Sequence, residues 1–117
     1  MKIVQVINAM ISNPDKITEV FVNGKELFFL YKEKYKWSIG ANEDGSYVIH
    51  LYPESEYSTQ ELSNFDISEW ALHNYVSYNT KDIKTVEADE SFRELYRIVG
   101  DKLYGLDDIF NDILADF

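Results

Sequence analysis

The stretch GLDDIFNDILADF, residues 105–117, carries the densest group of side chains that could do chemistry in this sequence. Asp108, Asp112 and Asp116 follow an i, i+4, i+8 spacing, which in a helix forms one stripe of carboxylates. Such a stripe can collect the basic side chains of a partner or bind Mg²⁺ or Ca²⁺ weakly. A dedicated Ca²⁺ site takes carbonyl and carboxylate ligands from a looped backbone, which a straight helix does not supply.

Helical periodicity explains these aspartates without any chemistry. At about 100° per residue, the apolar side chains of this stretch share an arc of about 140°, and the aspartates take the remainder. The apolar set is Leu106, Ile109, Phe110, Ile113, Leu114 and Phe117. We therefore predict a solvated acidic face and no metal site, with partner binding as the alternative. Because this helix carries acids at both ends, we also expect that it needs its apolar face packed.

The two histidines, His50 and His73, each fall on a predicted strand. If those strands pair, the imidazoles could meet across the sheet, and Glu54 or Glu69 could complete a metal site or an acid/base pair. The chain has no H-E-x-x-H, no G-x-S-x-G and no phosphate-binding glycine loop. We expect structural histidines and no cofactor. The alternative is a small ligand-binding domain or enzyme that uses His50 and His73 with nearby Tyr or Glu.

The net charge of −10 is unevenly distributed. Residues 41–117 carry five basic residues against seventeen acids, a balance that repels phosphate backbones and disfavours nucleic acid as a partner. Nine tyrosines are also more than a small core can hold with satisfied hydroxyl groups. Tyr75 and Tyr78 are therefore candidate contacts for another protein.

Composition predicts a single domain over residues 1–117, because this length with 45% hydrophobic residues can bury a core. The absence of cysteine excludes disulfides, thiol catalysis and cysteine-based metal sites. No apolar run reaches the roughly 18 residues of a membrane span. The first residues resemble a helix more than a signal peptide. We expect a cytoplasmic protein.

The first half of the sequence predicts a helix followed by strands. Apolar residues at helical spacing place the helix over 2–12. Asn23-Gly24 is typical of a type I′ hairpin turn, which predicts strands at 17–22 and 25–31 with Val22 opposite Lys25. Both faces of that hairpin are apolar, so each needs a cover: the first helix, the C-terminal helices or a second subunit.

Further strands are predicted at 35–39, at 47–52 and within 71–80. Ser58 and Glu61 have the spacing of a capping box for a short helix at 59–64. A longer helix should begin at Asp89 or Ser91 and end at Gly105, before the last helix over 106–117. The predicted fold is α+β: an N-terminal helix, an antiparallel meander of about five strands and two C-terminal helices packed on the sheet.

In size and composition the chain resembles small acidic immunity proteins and phage-encoded inhibitors. That resemblance implies a non-catalytic protein–protein interaction domain, and it transfers no residues. We expect the partner to be another protein, for which a basic surface would be the complement, and not a membrane. Asp108, Asp112, Asp116, Tyr75 and Tyr78 are the expected contacts. Homo-oligomerisation through an uncovered sheet face stays open.

Overall fold

The computed structural model describes residues 1–66, 69 and 74–117 and confirms the α+β fold. In chain order the elements are α1 (Lys2–Ser12), a 3₁₀ turn (Pro14–Lys16), β1 (Ile17–Asn23), β2 (Glu26–Tyr31), β3 (Tyr35–Ala41), β4 (Tyr47–Leu51), α2 (Thr59–Ser63), β5 (Val76–Asn79), α3 (Thr80–Ile83), α4 (Val86–Tyr104) and α5 (Leu106–Ala115).

The five strands form one antiparallel sheet in the order β1-β2-β3-β4-β5, which confirms the predicted meander. Its register assigns every side chain to one of two faces. Leu27, Ile39, Ile49 and Tyr78 are aligned across the strands on the first face. Phe28, Ser38, His50 and Ser77 are aligned on the second.

The first face carries the main core, under α1 and α4. The core is mainly aliphatic and aromatic. It joins Ile3, Val4, Ile7 and Met10 of α1 and Phe92, Leu95 and Val99 of α4 to Leu27, Phe29, Ile39 and Ile49 of the sheet. These helical positions follow the three- and four-residue spacing seen in the sequence. Burial of this face is the main source of stability.

The β1–β2 end of the second face is covered by the short helix α2, which the sequence predicts as a helix but not as a cover. Phe28 packs there with Tyr52 and Leu62. The capping box of Ser58 and Glu61 is present, as predicted. The predicted burial of both hairpin faces is therefore confirmed on β2.

Two polar contacts hold α2 against β1. The Thr59 hydroxyl donates to the Glu19 carbonyl at 2.7 Å, and the Asn23 amide donates to the Ser63 carbonyl at 2.9 Å. Both donors belong to residues that the sequence pattern assigns only to a turn or a helix start. These contacts fix α2 over the β1–β2 end of the sheet.

The predicted register of the first hairpin is wrong. Asn23 pairs with Glu26 and Val22 with Leu27, so the turn consists of Gly24 and Lys25. Gly24 has φ +60° at the first central position, the place where a type II′ turn needs glycine. A bulge between Thr18 and Phe21, with Glu19 at φ +50°, then shifts the pairing again.

The start of α4 is also earlier than predicted. The helix begins at Val86, not at Asp89 or Ser91, because the Thr85 hydroxyl accepts the amide hydrogen of Ala88 as an N-cap. Thr80, the last residue of the predicted 71–80 strand, instead begins α3 behind an Asn79 cap. Within that predicted strand, residues 76–79 form β5, residues 74–75 precede it, and residues 71–73 lie outside the described residues.

The two C-terminal helices are present, but they differ in packing. α4 lies on the sheet, and Gly105 ends it in the left-handed conformation at φ +62°. α5 contacts α4 and has no buried residue. The expectation that both helices pack on the sheet therefore holds for α4 and not for α5, because α1 and α4 already fill the first face.

This difference predicts unequal costs for two phenylalanine truncations. Phe92→Ala should lower the free energy of unfolding by about 3–5 kcal/mol, since Phe92 is fully buried. Phe110→Ala should change it by less than about 0.5 kcal/mol, since Phe110 is 53% exposed. Urea unfolding of both variants measures this. A comparable loss for Phe110→Ala would show that α5 belongs to the core.

Candidate functional site

The most exposed apolar surface described in the structure lies on α5. We call Ile109, Phe110, Ile113, Leu114 and Phe117 the α5 ridge. Their exposure runs from 49% for Ile109 to 65% for Leu114, and Phe117 is fully exposed. Monomeric proteins rarely leave apolar patches larger than a few hundred Å² in water, and larger ones mark interaction sites.

Three of the four aspartates of this segment lie towards the edges of this ridge. Asp108, Asp112 and Asp116 are exposed, as the periodicity predicts; Asp112 and Asp116 lie towards one edge of the apolar arc, Asp107 lies beside the other edge, and Asp108 lies on the opposite side of the helix. Asp107 and Asp108 occupy the first turn, where the helix dipole stabilises negative charge. Asp116 caps the opposite end, where the dipole disfavours a carboxylate. The ridge therefore has an acidic rim.

A cleft of about 420 Å³ opens at the base of α5, between α1 and the end of α4. Its apolar wall includes Ile11, Ile98 and Leu106, and Arg97 and Lys102 line it together with several acids. Arg97 donates hydrogen bonds to Glu94 and Asp101, so its positive charge is neutralised by carboxylates of α4 itself. α5 begins beside this cleft, so the ridge starts there.

A second group of chemically capable residues lies on the second sheet face; Glu26, Ser38, His50, Tyr52 and Ser77 form what we call the His50 cluster. The Nδ1 atom of His50 is 2.7 Å from the Ser77 hydroxyl, and its Nε2 atom is 3.7 Å from Glu26 Oε1. The Ser38 and Tyr52 hydroxyls are hydrogen-bonded at 2.8 Å. Strand pairing brings together residues distant in sequence.

Burial controls the protonation of this cluster. Desolvation raises the pKa of Glu26 from 4.5 to about 7, although a hydrogen bond from Ser38 opposes the rise. Desolvation also lowers the pKa of His50, so its imidazole is neutral at pH 7. It raises the pKa of Tyr52, whose hydroxyl keeps its proton. At neutral pH Glu26 is the member of the cluster that can gain or lose a proton.

Ser77, His50 and Glu26 follow the order of a nucleophile, a base and an orienting carboxylate. Two features depart from a working triad. The distance of 3.7 Å between His50 and Glu26 is too long for a hydrogen bond. A carboxyl group with a pKa of about 7 is also only partly ionised at neutral pH, which weakens its stabilisation of an imidazolium. The arrangement can share a proton more readily than it can activate Ser77.

The sequence pattern predicts that His50 lies on a strand, but it does not predict which side chains contact His50 across the sheet. Glu26 was assigned to an apolar strand, and no carboxylate was expected beside His50 except Glu54 or Glu69. The available signal was an acid in the alternating pattern of ELFFLY, on the face of Phe28. His73, the other histidine of the predicted pair, lies outside the described residues.

The two tyrosines predicted as partner contacts lie on opposite faces of the sheet. Tyr75 is 43% exposed, and its ring meets the edge of His50 with centroids 5.2 Å apart. Tyr78 is half-buried, packs against the main core and pairs with Ile49. The structure therefore joins Tyr75 to the His50 cluster, and neither tyrosine shares an element with the α5 aspartates.

Within residues 1–66, 69 and 74–117, no three His, Asp or Glu side chains come together as metal ligands would. In the same part of the chain, no helix combines the length and apolarity needed to cross a bilayer. Comparisons with protein-family models, curated proteins and solved structures found no match. The geometry of the chain itself is thus the basis for a proposal.

The raised pKa of Glu26 predicts that ionisation of this carboxyl group lowers the free energy of unfolding as pH rises. A carboxyl group with a higher pKa in the folded state favours folding fully below pH 4.5, and that contribution is lost as pH rises through about 7. Glu26→Gln should therefore exceed the wild type in stability at pH 8 by on the order of 2–3 kcal/mol, and match it near pH 4.5. Urea unfolding at several pH values measures the difference.

The comparison with the wild type cancels other titrations. His50, with its lowered pKa, contributes stability that is present above pH 6.5 and lost as pH falls, in both proteins. Glu33→Gln, at an exposed site in the β2–β3 turn, controls for the loss of one negative charge. Parallel curves for Glu26→Gln and the wild type would show that Glu26 is solvated.

Proposed function

We propose that this chain is a non-catalytic protein–protein interaction domain that uses α5 as its contact element. One observation carries the proposal: a helix at the surface with a continuous apolar face and no buried residue. Helices of about ten residues are marginal in water when nothing packs on them. A bound partner would supply the missing packing.

Charge supports a basic protein as the partner. The ridge is bordered by aspartates, and the chain as a whole carries a net charge of −10. A field of this sign accelerates association with a positively charged surface and opposes binding to nucleic acid. A cytoplasmic location is the setting we propose, consistent with a chain that lacks cysteine.

A matched pair of variants tests this proposal. Ile113→Asp places a charge in the centre of the ridge, and Asn111→Asp places the same charge on the same helix outside the ridge. The full chain with a photo-crosslinking residue at position 109 would capture its partner in the source cells, and the captured protein would then be purified. Calorimetry should show one-to-one binding, weakened at least about 30-fold by Ile113→Asp and within about threefold of wild type for Asn111→Asp.

Stability serves as the control for folding. Since α5 has no buried residue, Ile113→Asp should leave the free energy of unfolding within about 0.5 kcal/mol of wild type. Loss of binding is then a surface effect. The proposal is wrong if the photo-crosslinker captures no protein, or if Ile113→Asp binds the captured protein as tightly as wild type does.

A second candidate function, a small enzyme or ligand-binding domain built on His50, has one observation in its favour. The Ser77 hydroxyl contacts His50, which in turn lies near Glu26. If His50 takes the proton of Ser77, the oxygen could attack an electrophile such as a fluorophosphonate and release fluoride. Labelling of the wild type that is lost in Ser77→Ala and kept in Ser46→Ala would establish this activity. We expect no such labelling, because Glu26 is a weak orienting group.

A further inference from the structure

From the shape and charge of α5, we infer that it inserts as a helix into an apolar groove of a different protein whose rim carries Lys or Arg. This inference rests on the proposed function and adds the geometry and chemistry of the partner's site. It concerns the α5 ridge and the aspartates beside it.

The ridge has the spacing of a helix that docks in a groove. Ile109, Phe110, Ile113 and Leu114, with Leu106, follow an i, i+3, i+4, i+7, i+8 series that aligns them along one side of α5, and Phe117 follows the end of the helix. Peptide-binding grooves recognise helices through anchors at this spacing. A row of side chains along a helix is convex, so it fits a concave binding site better than a flat binding site. The complementary surface is therefore an apolar groove about as long as α5.

The residues at the edges of the ridge indicate which charges the rim of the partner's groove should carry. Asp107 lies beside one edge, and Asp112 and Asp116 lie beside the other. Residues 103–117 contain no Lys or Arg. A groove with cations along both walls would meet these carboxylates, and a cation near Asp116 would offset its unfavourable position at the end of the helix dipole. An acidic groove would be repelled.

The same charges disfavour a second copy of this chain as the occupant. Two α5 helices packed ridge to ridge would bring aspartates together with no intervening cation. On α4, Arg97 is already paired with Glu94 and Asp101. Lys102, which lines the cleft at the base of α5, is a single cation against the four aspartates of residues 106–117 in each copy. The net charge of −10 adds general repulsion between copies.

A lipid surface is disfavoured for a related reason. Helices that lie in the membrane interface carry Lys and Arg on their polar face, which attract anionic headgroups. The polar face of α5 carries aspartates instead. Its apolar face therefore suits a protein groove, where cations can be placed on both walls.

A charge variant tests the inference separately from the proposed function. The triple variant Asp107→Asn, Asp112→Asn, Asp116→Asn keeps the ridge and removes the three carboxylates beside its edges. Against the purified captured protein, we expect affinity about tenfold lower than wild type, with a weaker dependence on salt. Unchanged affinity in the triple variant, combined with the loss caused by Ile113→Asp, would overturn the basic rim and leave the proposed function standing. Unchanged affinity in Ile113→Asp would overturn both.

A synthetic probe gives a second, independent measurement. Leu/Lys and Leu/Glu amphipathic peptides of equal length present the same apolar face with opposite charges. In NMR titrations of the full chain, the Leu/Lys peptide should shift the amides of residues 106–117, and this response should be lost in Ile113→Asp and kept in Asn111→Asp. Equal binding of the Leu/Glu peptide would overturn the charge argument.

Two further measurements test the alternative partners of α5, a second copy of this chain and a lipid surface. Sedimentation over a range of concentrations should show a monomer, and a dimer that Ile113→Asp dissociates would overturn the inference in favour of a second copy. Vesicles of phosphatidylcholine and phosphatidylglycerol should not bind the chain. Binding to them that Ile113→Asp abolishes would instead identify a lipid surface.

Discussion

The structure depends on the burial of strand β2 on both of its faces. Leu27 and Phe29 lie under α1 and α4, and Phe28 lies under α2. A strand that is covered on both sides excludes water from its neighbours, so β1 and β3 are held by side-chain packing as well as by backbone hydrogen bonds. Once these covers are in place, the first face has no room for another helix, and α5 is left at the surface.

The same burial explains the unusual protonation on the second face. Glu26 lies two residues before Phe28 on β2, so both side chains are on the same face of the strand. The packing that buries Phe28 therefore also removes Glu26 from much of the solvent. Within the part of the chain that the structure describes, the Ser38 hydroxyl favours the charged form of Glu26, and the effect of burial on its pKa is larger. The carboxyl group therefore prefers its proton up to about pH 7. The cluster around His50 is in this sense a consequence of strand alternation, and it needs no catalytic purpose to exist.

The sequence predicted elements better than it predicted their neighbours. Side-chain patterns located α1 and the meander, and the capping-box spacing of Ser58 and Glu61 located α2, because both kinds of signal are local in the sequence. The hairpin register failed because glycine suits either position of a tight turn, and the contact between Asn23 and α2 that favours one of them is forty residues away in the chain. The neighbours of His50 depend on the β2–β3, β3–β4 and β4–β5 registers, which the side-chain pattern does not specify, so the contact with Glu26 could not be predicted. The amphipathic pattern of α5 showed that one face needs a cover, but the pattern contains no information on which molecule provides it.

The exposure of the α5 ridge is best understood through the free energy of the whole chain. Burying five large apolar side chains would stabilise this protein by several kcal/mol, at roughly 25 cal/mol per Å². The first sheet face, which carries the main core, is already occupied by α1 and α4, and α2 covers the β1–β2 end of the second face. An apolar face that the described part of the fold leaves uncovered, bordered by charges of one sign, would find its complement in another molecule. Partner binding would then complete the packing of α5, and the aspartates would decide which partners are accepted.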